Sequence, residues 1–187
     1  LGDLFESDQY AIAVVGTRGP TNYGKIQAEK IAGDLASQGI TVTSGMARGI
    51  DSIAHNSAIK NGGRTIAVIG SGLDVIYPPE NRKLFEKIIE NGAVISEFIL
   101  GSKPDAQNFP KRNRIISGLS LGVIVIETGI RGGAMQTASL ALDQNREVFA
   151  LPGNVGVKQS DGTNILIQKS EAELIRSAED VILELEL

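Results

Sequence analysis

The stretch Phe109-Pro110-Lys111-Arg112-Asn113-Arg114 sets three cations within four residues, directly ahead of the apolar run Ile115-Ile116-Ser117-Gly118-Leu119. Residues of those types at that spacing are suited to holding an anion. On a helix opening at Pro110, the side chains of Ile115, Ile116 and Leu119 share one face. Arg112 falls on the same side one turn earlier, flanked by Lys111 and Arg114. Helical side chains lean toward their own N-terminus, so this reading carries the Arg112 guanidinium over the end of whatever the helix packs on, outside the core. A charge run of this kind is also, as often, a solvated helix start. Its surroundings decide between the two.

Those surroundings are an alternation of short β-branched runs with segments of helical period, the pattern of a parallel sheet covered on both faces. Strands are expected at Ala11–Val15, Ile40–Thr43, Thr65–Ile69, Ala93–Ser96, Leu121–Ile126 and Glu147–Ala150. Between them the 3.6 period recurs, as in Ala28, Ile31, Ala32, Leu35 and in Ala134, Thr137, Ala138, Ala141. Asn61-Gly62-Gly63 and Asn91-Gly92 read as left-handed helix caps. The last residues, Val181 to Leu187, alternate like a strand, although a helix also fits them. The expected fold is α/β, an extended Rossmann-like three-layer sandwich with a mostly parallel sheet. Residues 1–10 read as the remnant of a linker and 11–187 as one domain. Opening on Leu1 rather than Met, the chain reads as part of a longer one.

Nearly every strand is followed by glycine-rich or polar text: Gly16-Thr17-Arg18-Gly19-Pro20, Ser44-Gly45-Met46-Ala47-Arg48-Gly49, Gly70-Ser71-Gly72, Arg131-Gly132-Gly133 and Pro152-Gly153-Asn154. In open α/β sheets ligands bind at that carboxyl edge, where helix N-termini offer free amides. Each glycine alone is a turn or a cap; their recurrence on one edge, together with Arg18, Arg48, Arg131 and the Lys111–Arg114 group, is the pattern of a phosphate site.

Composition limits the chemistry further. The chain has no Cys, and its single histidine, His55, supplies neither a His-rich metal centre nor a Ser/His triad; no metal or other cofactor is expected. No apolar run approaches a membrane span, and the reading is a cytosolic protein. The formal charge of −4 is unevenly spread: residues 171–187 carry −5 and the first eight −3, which leaves +4 for residues 9–170. A local basic patch is thereby permitted. A nicotinamide site would show G-x-G-x-x-G after the first strand and an acid at the end of the second. Here the glycines fall at 16, 19 and 24, and Thr43-Ser44 stands where the acid would be. The P-loop signature is absent as well. A lysine-decarboxylase-like phosphoribohydrolase would carry P-G-G-x-G-T, whereas the nearest text is Arg131-Gly132-Gly133-Ala134-Met135-Gln136-Thr137. That nucleotide-cleaving group stays as the alternative.

Taken in order, Val15-Gly16-Thr17-Arg18 with Tyr23-Gly24, Ser44 through Asp51 with His55, Gly72-Leu73-Asp74 through Tyr77-Pro78 and Glu80-Asn81, Phe109 through Ser120, and Pro152-Gly153 with Gly162-Thr163-Asn164 resemble the Rossmann-like domain of the DprA/Smf family over about residues 11–167. The resemblance implies a non-enzymatic protein that binds single-stranded DNA, protects it and loads the RecA recombinase during natural transformation, working as a homodimer. Two departures stand out. Gly132-Gly133-Ala134 lacks a serine usual in the family, and Lys169-Ser170-Glu171-Ala172 stands where the family tends to have Gly-Ala.

In this reading Arg18, Lys111, Arg112 and Arg114 hold backbone phosphates, and Asn113 belongs with them. Gly16, Thr17, Ser44, Gly45 and Gly70 supply hydroxyls or close-approach amides. Phe109 stacks a base or plugs the core; Arg48 binds DNA or pairs with Asp51 or Asp74. His55 is a structural boundary residue, and Glu127 is a cap or an arginine partner. Arg18→Ala and Arg112→Ala are both expected to weaken binding without loss of stability, and the log–log salt slope is expected at about −2 to −3 for three or four phosphates.

Overall fold

The computed structural model describes all 187 residues. Seven strands form one sheet in the order β4-β3-β2-β1-β5-β6-β7. They are β1 (Ile12–Val15), β2 (Val42–Ser44), β3 (Thr65–Val68), β4 (Gly92–Ile95), β5 (Gly122–Val125), β6 (Glu147–Ala150) and β7 (Glu173–Leu174). Every neighbouring pair is parallel. The helices are α1 (Asn22–Ser37), α2 (Ile50–Lys60), α3 (Arg82–Asn91), α4 (Asn108–Gly118), α5 (Gly133–Asp143), α6 (Asp161–Gln168) and α7 (Ala178–Glu184).

Because side chains alternate across a strand, β1 and β5 feed two cores at once. Ile12, Val14, Ile124 and Ile126 pack under α1, α2 and α7 through Ile31, Leu35, Ile50 and Val181. Ala13, Val15, Val123 and Val125 pack under α4, α5 and α6 through Ile116, Ala138 and Leu166. A smaller core joins Ala67, Ile69 and Val94 to Leu84, Phe85 and Ile88 of α3. The chain winds outward from β1 to β4, crosses over through α4, and winds outward again from β5. That reversal opens a crevice between the carboxyl ends of β1 and β5, the place where open α/β sheets take ligands.

Three expectations change. Residues 1–10, read as linker, pack on the β4 edge: Val94 N donates to Leu1 O at 2.8 Å and Asp3 N to Gly92 O at 3.1 Å. Asp8 is buried and accepts from Thr41 Oγ1 at 2.8 Å and from Arg64 Nε and Nη2 at 2.9 Å each. Burial alone would raise the Asp8 carboxyl; its hydrogen bonds to Arg64, the Phe5 amide and Thr41 outweigh that and hold it below its ordinary value. Gly62 does cap α2 at φ +73, but Gly92 is extended (φ 171) and runs directly into β4. A Cβ there would lie 1.9 Å from Thr65 O, so glycine at 92 serves strand pairing. The carboxyl end is helical because Ser177 accepts from Asp180 N while Asp180 accepts from Ser177 N at 3.1 Å, and this capping box overrides the alternation.

Candidate nucleic-acid interface

Four cations, Lys111, Arg112 and Arg114 of α4 and Arg18 of the loop after β1, meet three different fates. Lys111 is exposed, with no carboxylate partner. Arg114 is exposed but paired with Glu97. Arg18, on the loop after β1, is exposed and unpaired, its Cζ 5.3 Å from the centroid of the Phe109 ring. Arg112 departs from expectation: only 4% of it is exposed. Its Nη1 donates to Gly45 O at 2.6 Å and to Val68 O, tying α4 to the carboxyl ends of β2 and β3. The lean of helical side chains does carry Arg112 to the sheet end, but the carbonyls at that end are unpaired acceptors and capture it. Burial lowers its pKa to about 10; the nearby Asp51 carboxylate opposes this and Arg18 adds to it. Burial likewise raises Asp51, with Arg112 and the Ala47 amide opposing.

Several hydroxyls and amides of this edge are engaged inside the protein. Ser44 Oγ donates to Val14 O at 2.7 Å. Thr17 N donates to Glu127 O at 2.7 Å, and Ala47 N to Asp51 at 3.3 Å. Glycine at 45 leaves room for the guanidinium, since a Cβ there would sit 2.5 Å from Arg112 Nη1. Gly16 and Gly70 similarly admit Ile50 and the Phe109 ring. The glycine-rich text thus packs loop against loop and, in doing so, positions the cations. Arg48 pairs with Glu80 and not with Asp51 or Asp74; Glu80 holds the guanidinium above its ordinary pKa and is itself lowered.

Beside Arg18 the switch-point crevice has a volume of about 380 Å³ and is lined by Thr17, Asp51, Arg112, Asn113, Thr128 and Gly133 among others. Helix α5 begins there without a side-chain cap, so the free amides of its first turn border the crevice. Phe109 is half-buried at the crevice wall, beside Arg18, with Arg112 at 5.9 Å and Tyr77 at 5.8 Å from its ring centroid. It is neither a core plug nor a free platform. Tyr77, packed beside Phe109, has no role of its own in the sequence reading, although the Tyr77-Pro78 pair was an available signal. Asp51, expected as a partner of Arg48, lines the crevice wall instead.

Glu127 is a cap. It is buried and accepts from Thr21 N at 2.9 Å and Thr21 Oγ1 at 2.5 Å, while Thr21 Oγ1 accepts from Gly24 N to start α1. Thr21→Val should therefore lower stability by about 1 to 2 kcal/mol, read by chemical denaturation, and leave affinity per folded molecule unchanged. His55 is fully buried rather than at a boundary. No three His, Asp or Glu side chains converge as a metal centre, and no helix is long and apolar enough to cross a membrane.

The fold and site define a class, a doubly wound α/β domain with exposed cations at the carboxyl edge of its sheet. Comparison makes that more specific. The family described as DNA recombination-mediator protein A matches residues 1–186, and the chain belongs to that family. It is 46% identical over 182 residues to protein Smf of Escherichia coli, covering 97% of this chain and 48% of that protein. It is 45% identical to DNA processing protein DprA of Streptococcus pneumoniae, covering 94% and 61%. The chain thus spans about half the length of these relatives. The X-ray structure of the S. pneumoniae protein superposes with a TM-score of 0.89 at 42% identity, covering 96% of this chain and 63% of that one. DprA of Helicobacter pylori, described for its single-stranded DNA binding mode, superposes with a TM-score of 0.89 at 34% identity, covering 99% and 84%. A molybdenum cofactor binding protein of Rippkaea orientalis, at 20% identity and a TM-score of 0.68, shares the fold.

Proposed function

We propose that this domain binds single-stranded DNA by its backbone phosphates across the carboxyl edge of the sheet, and serves as a mediator that protects the strand and loads RecA onto it during natural transformation, acting as a homodimer in the cytosol. The observation that carries the DNA reading is the pair Arg18 and Lys111, exposed and without carboxylate partners, one on the loop after β1 and one in the first turn of α4, at the edge that also holds the α5 amides. The description of the H. pylori relative as a single-stranded DNA binder supports it. An exposed β7 at the end of the sheet, with Leu174 and Leu183 43% and 70% exposed, supports self-association through the carboxyl region.

The geometry favours a salt dependence at the shallow end of the expected range. Arg112 is inside, while Arg48 and Arg114 carry their own carboxylates. Arg131, on the loop after β5, is also exposed without a carboxylate partner, so three of the cations named for this edge are free. At about 0.7 each they give a log–log slope near −2 for oligo-dT. Arg18→Ala and Lys111→Ala should each remove about a third of that slope and leave the melting temperature unchanged. The measurement is fluorescent oligo-dT titration at several salt concentrations. A flat response in the unmodified domain, or a slope unmoved by both substitutions, would place the anion site elsewhere.

A further inference from the structure

Phosphate attraction alone does not explain a preference for single strands, because duplex phosphates carry the same charge. Discrimination needs contact with unpaired bases. Phe109 has little free face to offer, since Arg18, Tyr77 and the Gly70 backbone lie against it. The same edge does carry exposed aliphatic side chains at several loop tips, two of which flank the cationic centre, one on each side. Ile99 and Leu100, after β4, are 82% and 69% exposed, and Ile130, after β5, is 56% exposed. Single exposed aliphatics are ordinary; their placement on both flanks of one anion site is what calls for a function.

Both tips are fastened to the walls of the centre. Asp74 accepts from Gly101 N at 2.8 and 3.0 Å, Gly72 N donates to Ser102 O at 2.9 Å, and Ser96 Oγ donates to Ser71 O at 2.6 Å. Ser71 in turn lines the recess under Phe109. Ile130 sits between Gly129 and Gly132, two residues of the crevice wall. In the order β4-β3-β2-β1-β5 the two tips stand four strand spacings apart, about 19 Å at ~4.8 Å each. That length corresponds to about five or six bases at stacked spacing and to fewer when the strand is extended.

We propose that Ile99, Leu100 and Ile130 are base-contact points, packing against unstacked bases on either side of the phosphates held by Arg18 and Lys111. The proposal rests on the single-stranded DNA reading and supplies its selectivity: a duplex keeps its bases paired and gives the tips nothing to bury. The test compares the I99S/L100S double variant and Ile130→Ser with the unmodified domain on oligo-dT, on an abasic oligomer of the same length, and on duplex. Leu142→Ser, 41% exposed near the end of α5 and so at the opposite edge, is the control. Each tip variant should bind oligo-dT about three- to tenfold more weakly, with the salt slope, the melting temperature and the affinities for abasic oligomer and duplex unchanged. Leu142→Ser should bind as the unmodified domain does. Tip variants with full oligo-dT affinity, or with the same loss on the abasic oligomer, overturn the proposal. An unmodified domain that binds no oligo-dT at all removes the single-stranded DNA reading itself, and this proposal with it.

Discussion

Replacing Arg112 with Ala is expected to lower stability by about 3 to 5 kcal/mol, the usual cost of removing one partner from a buried charged cluster. The guanidinium is only 4% exposed and donates to Gly45 O and Val68 O. Without it, two carbonyls at the ends of β2 and β3 lose their donor and the buried Asp51 loses the nearby positive charge that opposes its desolvation. Arg112→Lys should recover only part of the loss, because an ammonium on a flexible stem does not reproduce the planar fork. Gly45→Ala should reproduce the defect from the other side, since its Cβ would lie 2.5 Å from Nη1. Denaturation of the three variants beside Arg18→Ala checks the assignment. Arg18→Ala should melt normally and bind oligo-dT weakly; an Arg112→Ala protein that melts normally and only binds weakly would make this guanidinium a surface ligand after all.

The contrast between these two arginines shows what the sequence could and could not convey. Periodicity placed both on the carboxyl edge correctly, because strand ends and helix starts follow from side-chain pattern. Burial did not follow, because it depends on which carbonyls a loop leaves unpaired, and Gly45 O and Val68 O lie 67 and 44 residues from Arg112 in sequence. The same holds for Arg48 and Arg114, whose partners Glu80 and Glu97 come from other loops. A cation cluster is visible in one dimension; its counter-charges are not. Six strands and the position of the crevice were legible from β-branched runs and the glycine text behind them. The two-residue β7 is too short to leave a period. The helix α7 was obscured by alternation, although Ser177 and Asp180 were present as a cap signal. Residues 1–10 carry Leu1, Leu4 and Phe5 among three acids and read as linker until Arg64 and Thr41 supply partners for Asp8.

His55 sets the second large effect, on stability against pH. Thr65 Oγ1 gives its only proton to Val42 O at 2.7 Å, so at 2.6 Å it accepts from His55 Nδ1, and the imidazole is neutral with Nε2 unpartnered. Burial, with a smaller contribution from Arg112, lowers its pKa to about 3 from an ordinary 6.5. A base whose folded pKa is depressed binds its proton more readily when unfolded. Stability is therefore full above about pH 6.5 and falls as the pH drops from there toward 3. At 1.36 kcal/mol per pH unit, His55 alone should remove about 2 kcal/mol between pH 7 and pH 5. Asp51, raised by burial, acts with the opposite sign as its own carboxyl protonates, and the lowered Asp8 titrates below this window. The clean measurement is thus a difference: urea denaturation of the unmodified domain and of His55→Gln at pH 7 and pH 5. His55→Gln is expected to start less stable at pH 7 and to lose about 2 kcal/mol less on acidification. Parallel losses in the two proteins would mean that His55 takes up its proton in the folded state.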